Sequence, residues 1–340
     1  MPTYRQVAAA AEIGMLVHER DTTAACQEML RLLKEAVSSD AASLVAVDPF
    51  DGEHRQVAGV GYAAEVSQPL AEEFARTQWF GDVLANRLPP SISEEPGQSF
   101  RRGWFYAQHL RPAGFRDGMT GALRRDGRYV GLVHLSSEKR GAFDGAARRL
   151  LASVIPAFAT MADIAGRAVQ AGGVQHADCA ALVRGDKIVE MPGRRRPRVL
   201  DDATFRHILA EFRESAGRRL QLFWPVDRVW HRVALVVPDL PVPRPGTVLV
   251  HTRPAPIPYG LTSRELDVLT RLAMGMTNDV IAEDLFLSPR TIHTHVAHVL
   301  QKTGTATRTE AATLAVRESI LRPVPGLPRR AGITCFLDRG

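Results

Sequence analysis

Three cysteines in 340 residues, Cys26, Cys179 and Cys335, are too few and too far apart for a disulfide framework, so a reducing cytoplasm is the natural compartment. Lysine is almost as scarce. Only Lys34, Lys139, Lys187 and Lys302 stand among 43 basic residues, the rest being arginine. No apolar run approaches the about 18 residues of a membrane span. The apolar stretch from Val7 to Val17 is broken by Glu12 and lacks a charged start and a cleavage site. The expectation is a soluble chain with no membrane partner. Nucleophile–base pairs, phosphate-cradling loops and metal-ligand clusters are missing too, so the chain reads as no enzyme, with no cofactor and no metal.

What is present fits a globular protein of several domains: 45% hydrophobic, 24% charged, net charge +6 and pI about 9.6. That mild basicity permits a polyanionic partner without requiring one.

The first half alternates helix and strand signals. Residues 23–37 carry a helical stripe through Met29, Leu32, Leu33 and Val37. "ASLVAVDP" and "RQVAGVGY" read as strands around Asp51-Gly52, and residues 119–137 as a hairpin turned at Asp126-Gly127. A long helix follows from about Asp144, with Pro156 expected to kink it. This order resembles a GAF sensory domain over about residues 15 to 167, here given the bounds 1–170. The resemblance implies an α+β sensor whose variable middle covers a ligand cavity. Trp79, Phe80, Trp104, Phe105, Tyr106 and Phe115 are the candidate cavity residues, with plain core packing as the alternative.

Residues 171–252 read as a smaller α+β module: a hairpin at Gly185-Asp186, the amphipathic helix "DATFRHILAEFRES" and three strands, the last from Thr247 to Val250. In that order it resembles a PAS-like module. Prolines crowd the stretch from 238 to 258, and 253–260 is expected to be a linker. The basic run "GRRRPR" (193–198) is either a solvated loop or a patch for DNA phosphates or RNA polymerase. The tail 323–340 has no period and is expected to be loosely ordered.

Between 261 and 322 the local signals agree. Thr262 and Glu265 form a capping box, Gly275 ends that helix, Thr277 caps a second, and Ser288 with Pro289 opens a third reaching about Thr303. Thr307 and Glu310 form another capping box, opening a fourth. Four short helices with tight turns make an all-α helix-turn-helix domain.

The third helix carries His293, His295 and His298, which invites a metal. At about 100° per residue, His293 and His295 point roughly 200° apart, so one helix cannot bring all three to one ion. Ile292, Val296, Val299 and Leu300 face the core instead, and Arg290, Thr294, Ala297 and Gln301 face outward. A small, polar strip of this kind suits the major groove of double-stranded DNA.

The segment "LTSRELDVLTRLAMGMTNDVIAEDLFLSPRTIHTHVAHVLQKTGTATRTEAA" closely resembles the C-terminal domain of LuxR-type regulators, the LuxR/FixJ class. The match runs through Leu261, Thr262, Arg264, Glu265, Val268, Leu269, Gly275, Asn278, Ile281, Ala282, Leu285, Ser288, Thr291, His295, Lys302, Gly304 and Arg308. The resemblance implies sequence-specific DNA binding as a homodimer through the fourth helix, with base-reading positions at His293, Thr294 and Ala297. The expected DNA surface adds Thr277, Asn278, Ser288, Arg290, Thr291, His298, Gln301, Lys302 and Arg308. His293 and Ala297 replace cations common in the family, and acids balance bases over 261–322, seven against seven. Affinity is therefore expected to be modest and to rise below neutral pH as His293 protonates. The signal input shows neither a phosphorelay receiver's acidic pair nor the pattern of lactone-binding domains. A small-molecule or protein effector is the expectation. The alternative is an interaction module that binds RNA polymerase or another regulator rather than DNA.

Overall fold

Asp21 accepts a hydrogen bond from the Ala24 amide and so starts the helix expected at 23–37. In the computed structural model, which describes residues 3–19, 21–175, 178–242, 244–323 and 336, that helix (α2, Thr22–Ala36) follows α1 (Tyr4–Leu16) and leads into the hairpin of β1 (Ala41–Val47) and β2 (His54–Val60). Three α-helices, with short 3-10 and π-helical turns between and after them, fill the middle: α3 (Ala64–Glu72), α4 (Trp79–Ala85) and α5 (Ser99–Arg102). The second expected hairpin is β3 (Asp117–Arg125) and β4 (Arg128–Ser137). Its turn residues Asp126 and Gly127 take φ of 50° and 77°, the left-handed values a tight turn needs. The four strands form one antiparallel sheet, ordered β2-β1-β4-β3.

α6 (Gly145–Ala162) packs on β3 and runs on through Pro156, where a kink was expected. The bend, 61°, comes at Asp163, before α7 (Ile164–Ala171). There the Asp163 carboxylate accepts from the Gly166 amide, capping a new helix, and is held 3.0 Å from Arg128. The chain to Ala168 forms one unit, together with Asp239–Arg244.

The second unit begins at Val169. It holds β5 (Cys179–Arg184), β6 (Lys187–Glu190), α8 (Ala203–Glu214), β7 (Arg219–Val226), β8 (Val229–Val236) and β9 (Thr247–Pro254), the strands ordered β6-β5-β9-β8-β7 and all antiparallel. Asp202 caps α8, which buries Phe205, Ile208, Leu209 and Phe212 in one cluster with Leu222, Leu235 and Val250. β9 runs beyond the expected Val250 to Pro254, so part of the expected linker is strand. Pro254 is tolerated because pairing with β5 stops at Thr252, leaving no acceptor on that side for the missing N–H.

Four helices follow: α9 (Ser263–Ala273), α10 (Asn278–Leu285), α11 (Pro289–Thr303) and α12 (Arg308–Arg317). Val268, Leu272, Ile281, Ala282, Leu285 and Ile292 make a small core of their own. Leu261, Leu266, Leu269, Val299, Ala311, Ala315, Ile320 and Leu321 instead join the sheet's cluster. The Phe223 amide donates to the Leu321 carbonyl at 2.8 Å, and the Arg322 guanidinium lies 5.8 and 5.5 Å from the rings of Trp224 and Trp230. Sheet and helices share one core. Of the tail expected to be loose, Pro323 and Phe336 fall among the described residues, and both are buried. Among the described residues no single helix is long and apolar enough to cross a membrane.

Candidate nucleic-acid interface

Local chemistry places α11. Thr262 accepts from the Glu265 amide and Glu265 from the Thr262 amide, the reciprocal capping box that opens α9. Gly275, at φ 79°, lets the chain leave α9 in the left-handed region. Thr277 caps α10, and Ser288 caps α11 by accepting from the Thr291 amide at 3.1 Å. Thr307 caps α12, but Glu310 reaches the Ala306 amide instead of completing the expected box.

The α11 wheel is as the spacing implies. Ile292 and Val299 are buried, Val296 and Leu300 half-buried, and Arg290, His293, Thr294, Ala297, His298 and Gln301 exposed. The three histidines part company. His293 faces solvent, His295 is half-buried with an unpartnered Nδ1, and the His298 Nδ1 lies 3.7 Å from Glu265 Oε1. Among the described residues no three histidine, cysteine or acidic side chains gather as a metal would need.

Two expected DNA contacts, both exposed, have partners within the domain. Lys302 Nζ donates to Glu265 Oε2 at 2.7 Å and to the Gly260 carbonyl at 3.0 Å, and Arg308 donates to the Met276 carbonyl. Burial works against the Glu265 charge, yet Lys302 and the Thr262 amide hold its carboxyl below the usual range. The other bases are engaged likewise: Arg264 with the Leu285 carbonyl, Arg271 with Asp284, Arg317 with Glu318 and Arg322 with Asp267. Arg290 is the one arginine or lysine of the four helices whose side chain has no partner, side chain or backbone, among the described residues. Ser288 and Thr291 pair their hydroxyls at 2.8 Å, and Asn278 keeps a buried, unpartnered Oδ1. In the basic run 193–198, Arg196 pairs with Asp201 and Arg198 with Asp227, while Arg194 donates to the carbonyls of Gln175 and Asp178.

In the first unit a cavity of about 500 Å³ lies between the β3–β4 hairpin and the middle helices. Of the six aromatics expected there, Trp79 lines it, while Phe80, Trp104, Phe105, Tyr106 and Phe115 do not. Phe105 is wholly buried in the adjoining core and Trp104 is 43% exposed. Phe74, Phe100, Thr120 and His134 supply the wall that the aromatic cluster alone does not indicate. Thr120 and His134 are visible as paired hairpin positions, but Phe74 and Phe100 come from two helical segments of three and four residues, too short to show a period. The His134 Nδ1 meets Thr120 Oγ1 at 3.0 Å and its buried Nε2 is unpartnered. Burial drives the His134 pKa down to about 3. Glu95 accepts from the Trp79 indole and the Phe100 amide at 3.0 and 2.8 Å, fixing the cavity's aromatic edge.

Residues 260–315 match the family described as bacterial regulatory proteins, luxR family. Over 62 residues the chain is 48% identical to the uncharacterized transcriptional regulatory protein YhcZ of Bacillus subtilis, covering 18% of this chain and 29% of that one. It is 38% identical to the transcriptional regulatory protein LiaR of the same organism, over 22% of this chain and 35% of that one. The chain thus spans about a third of the length of these relatives. Among solved structures, the GAF domain of a Coxiella burnetii phosphoenolpyruvate-protein phosphotransferase overlays 50% of this chain and 98% of its own, at 17% identity and a TM-score of 0.40. Escherichia coli SdiA overlays 93% of this chain and 99% of its own, at 14% identity and a TM-score of 0.35. The caps, the helix order and the family match coincide over one segment: residues 260–315 are a helix-turn-helix domain of the luxR family of bacterial regulatory proteins.

Proposed function

We propose that this chain is a sequence-specific DNA-binding transcription regulator that lays α11 in the major groove. The observation that carries the reading is the exposed strip on α11: Arg290 at the first turn, then His293, Thr294, Ala297 and Gln301, all small or polar. Small side chains at the centre allow close approach, and Thr, His and Gln can hydrogen-bond base edges. Arg290 and the α11 N-terminus reach phosphates. The relatives' names as transcriptional regulatory proteins support the same reading.

The N-terminal unit acts as a GAF-like sensor, its cavity taking a small effector, and the five-stranded sheet with α8 as a PAS-like module. The strand–helix–strand order supports the second assignment and the two-hairpin sheet the first. The chain works in the cytoplasm as a homodimer and addresses RNA polymerase from DNA.

The test is binding to DNA from upstream of its own gene against scrambled DNA of equal length, with a variant carrying His293→Glu and Thr294→Glu. Preference for the upstream fragment, abolished in the variant, supports the reading. That these bases already have partners within the domain favours one competitor, a module that binds RNA polymerase or another regulator without DNA. Equal binding by wild type and variant to such a protein partner, with no DNA preference, would replace our reading by that one.

A further inference from the structure

Opposite α8, the second sheet presents a cationic face. β7 directs Arg219 and Gln221 to it, β8 directs Arg232, and β9 directs His251 and Arg253, as the register requires. Arg232 pairs directly with Arg253, and Ala234 stands opposite both Gln221 and His251. These side chains line a recess of about 260 Å³, closed on one side by Gly173, Gln175 and Asp178. Three guanidiniums on adjacent strands repel one another. In a sheet such like-charge pairs are destabilising unless something lies between them. Among the described residues what lies between them is slight. Arg232 donates to Gln221 Oε1 at 2.9 Å and to the Glu318 carbonyl at 3.2 Å, and Arg253 to Gln175 Oε1 at 3.3 Å. Among the described residues, Asp178 is the one carboxylate lining the recess. It sits 3.5 Å from His251 Nδ1 and accepts from the Gln175 amide. The Glu318 carboxylate is taken by Tyr259 and Arg317. His251 Nε2 is buried and unpartnered.

We propose that this recess is a binding site for a small phosphate-bearing anion, held by Arg219, Arg232 and Arg253 and oriented by His251. Guanidiniums match phosphate oxygens in paired geometry, and a crowded, partly exposed cluster of them gains when a multivalent anion replaces their mutual repulsion. With Nδ1 turned to Asp178, the Nε2 of a neutral ring is an acceptor. It suits the P–OH of hydrogen phosphate or a hydroxyl of a phosphate ester. Burial, and then the charges of Arg253 and Arg219, hold Arg232 below its ordinary pKa, as an uncompensated cluster should. The recess is larger than a bare phosphate needs, which leaves room for a small esterified body. The proposal is independent of DNA binding. It does reach the helix-turn-helix, since one Arg232 nitrogen donates to the carbonyl just past the end of α12.

The experiment is calorimetric titration of the full chain with inorganic phosphate, with a small phosphate monoester such as glycerol phosphate, and with sulfate, which carries no acidic proton at neutral pH. Saturable phosphate binding is expected, weaker for sulfate. Arg253→Gln and Arg219→Gln should each weaken it roughly tenfold or more, about 1.4 kcal/mol. In phosphate-free buffer the same variants should melt no lower than wild type, because each removes a repulsive charge. Tighter binding of the ester identifies a metabolite site, and equal binding a site for free phosphate. Absence of saturable binding at millimolar phosphate, or binding unaltered in both variants, overturns the proposal.

Discussion

Lys302 Nζ rests 2.7 Å from Glu265 Oε2, so the cation that closes α11 is joined to the capping box that opens α9. Glu265 is nearly fully buried and Lys302 about a third exposed. Lys302→Ala therefore strips a buried carboxylate of its counter-charge, and should destabilise the domain by about 1–3 kcal/mol, discounted for that exposure. Chemical denaturation checks it. An unchanged midpoint with weakened DNA binding would mean that Lys302 serves DNA rather than Glu265.

The pair has a pH signature. The folded-state pKa of Glu265 is depressed, so its contribution is complete above the unfolded carboxyl value and is lost as pH falls through the folded one. Denaturation midpoints of wild type and Glu265→Gln should differ at pH 7 and draw together in acid.

Arg290 is the base on the α11 face without a partner among the described residues. Arg290→Ala should leave the melting temperature unchanged, lower affinity for all DNA sequences alike, and reduce the salt slope by about 1. Because the other bases are engaged, the wild-type slope itself should be shallow, near −0.9 for each phosphate neutralised. A steep slope would mean that cations outside the four helices touch DNA.

His134 gives the first unit its own acid response. Its folded pKa, about 3, lies below the ordinary histidine value. The unfolded chain then binds the extra proton between the two, and stability declines as pH falls from about 6.5 toward 3. His134→Asn keeps a partner for Thr120 and should flatten that decline, as seen in thermal melts across the range. An equally steep decline in the variant would place the titrating group elsewhere.

The parts of the fold that read cleanly in sequence are those decided within a few residues. Thr262 with Glu265, Ser288 with Pro289, and Asp126-Gly127 each satisfy or turn the backbone locally, and the structure holds all three. The cavity wall is less legible. Trp79 belongs to the aromatic cluster that the sequence picks out, but Phe74 and Phe100 enter the wall from separate short helical segments, and no spacing rule connects them. The arginine face needs the register of β7, β8 and β9 before it exists at all, because Arg219, Arg232 and Arg253 are far apart in the chain. Proline density suggested a break at 253–260. Pairing on one side alone makes Pro254 harmless there, and the apolar residues on both sides of that stretch belong to one cluster.

That common core removes slack. A reading head on a loose tether could swivel to suit differently spaced operator halves, whereas here Leu321 is bonded to a strand and Arg322 is lodged beside two tryptophans of the sheet. In a dimer built from such arms, the distance and phase between the two recognition helices are set by the protein rather than found on the DNA. Adding five base pairs between half-sites, about half a helical turn, should be tolerated poorly, and adding ten better, because only the latter restores the facing of the groove.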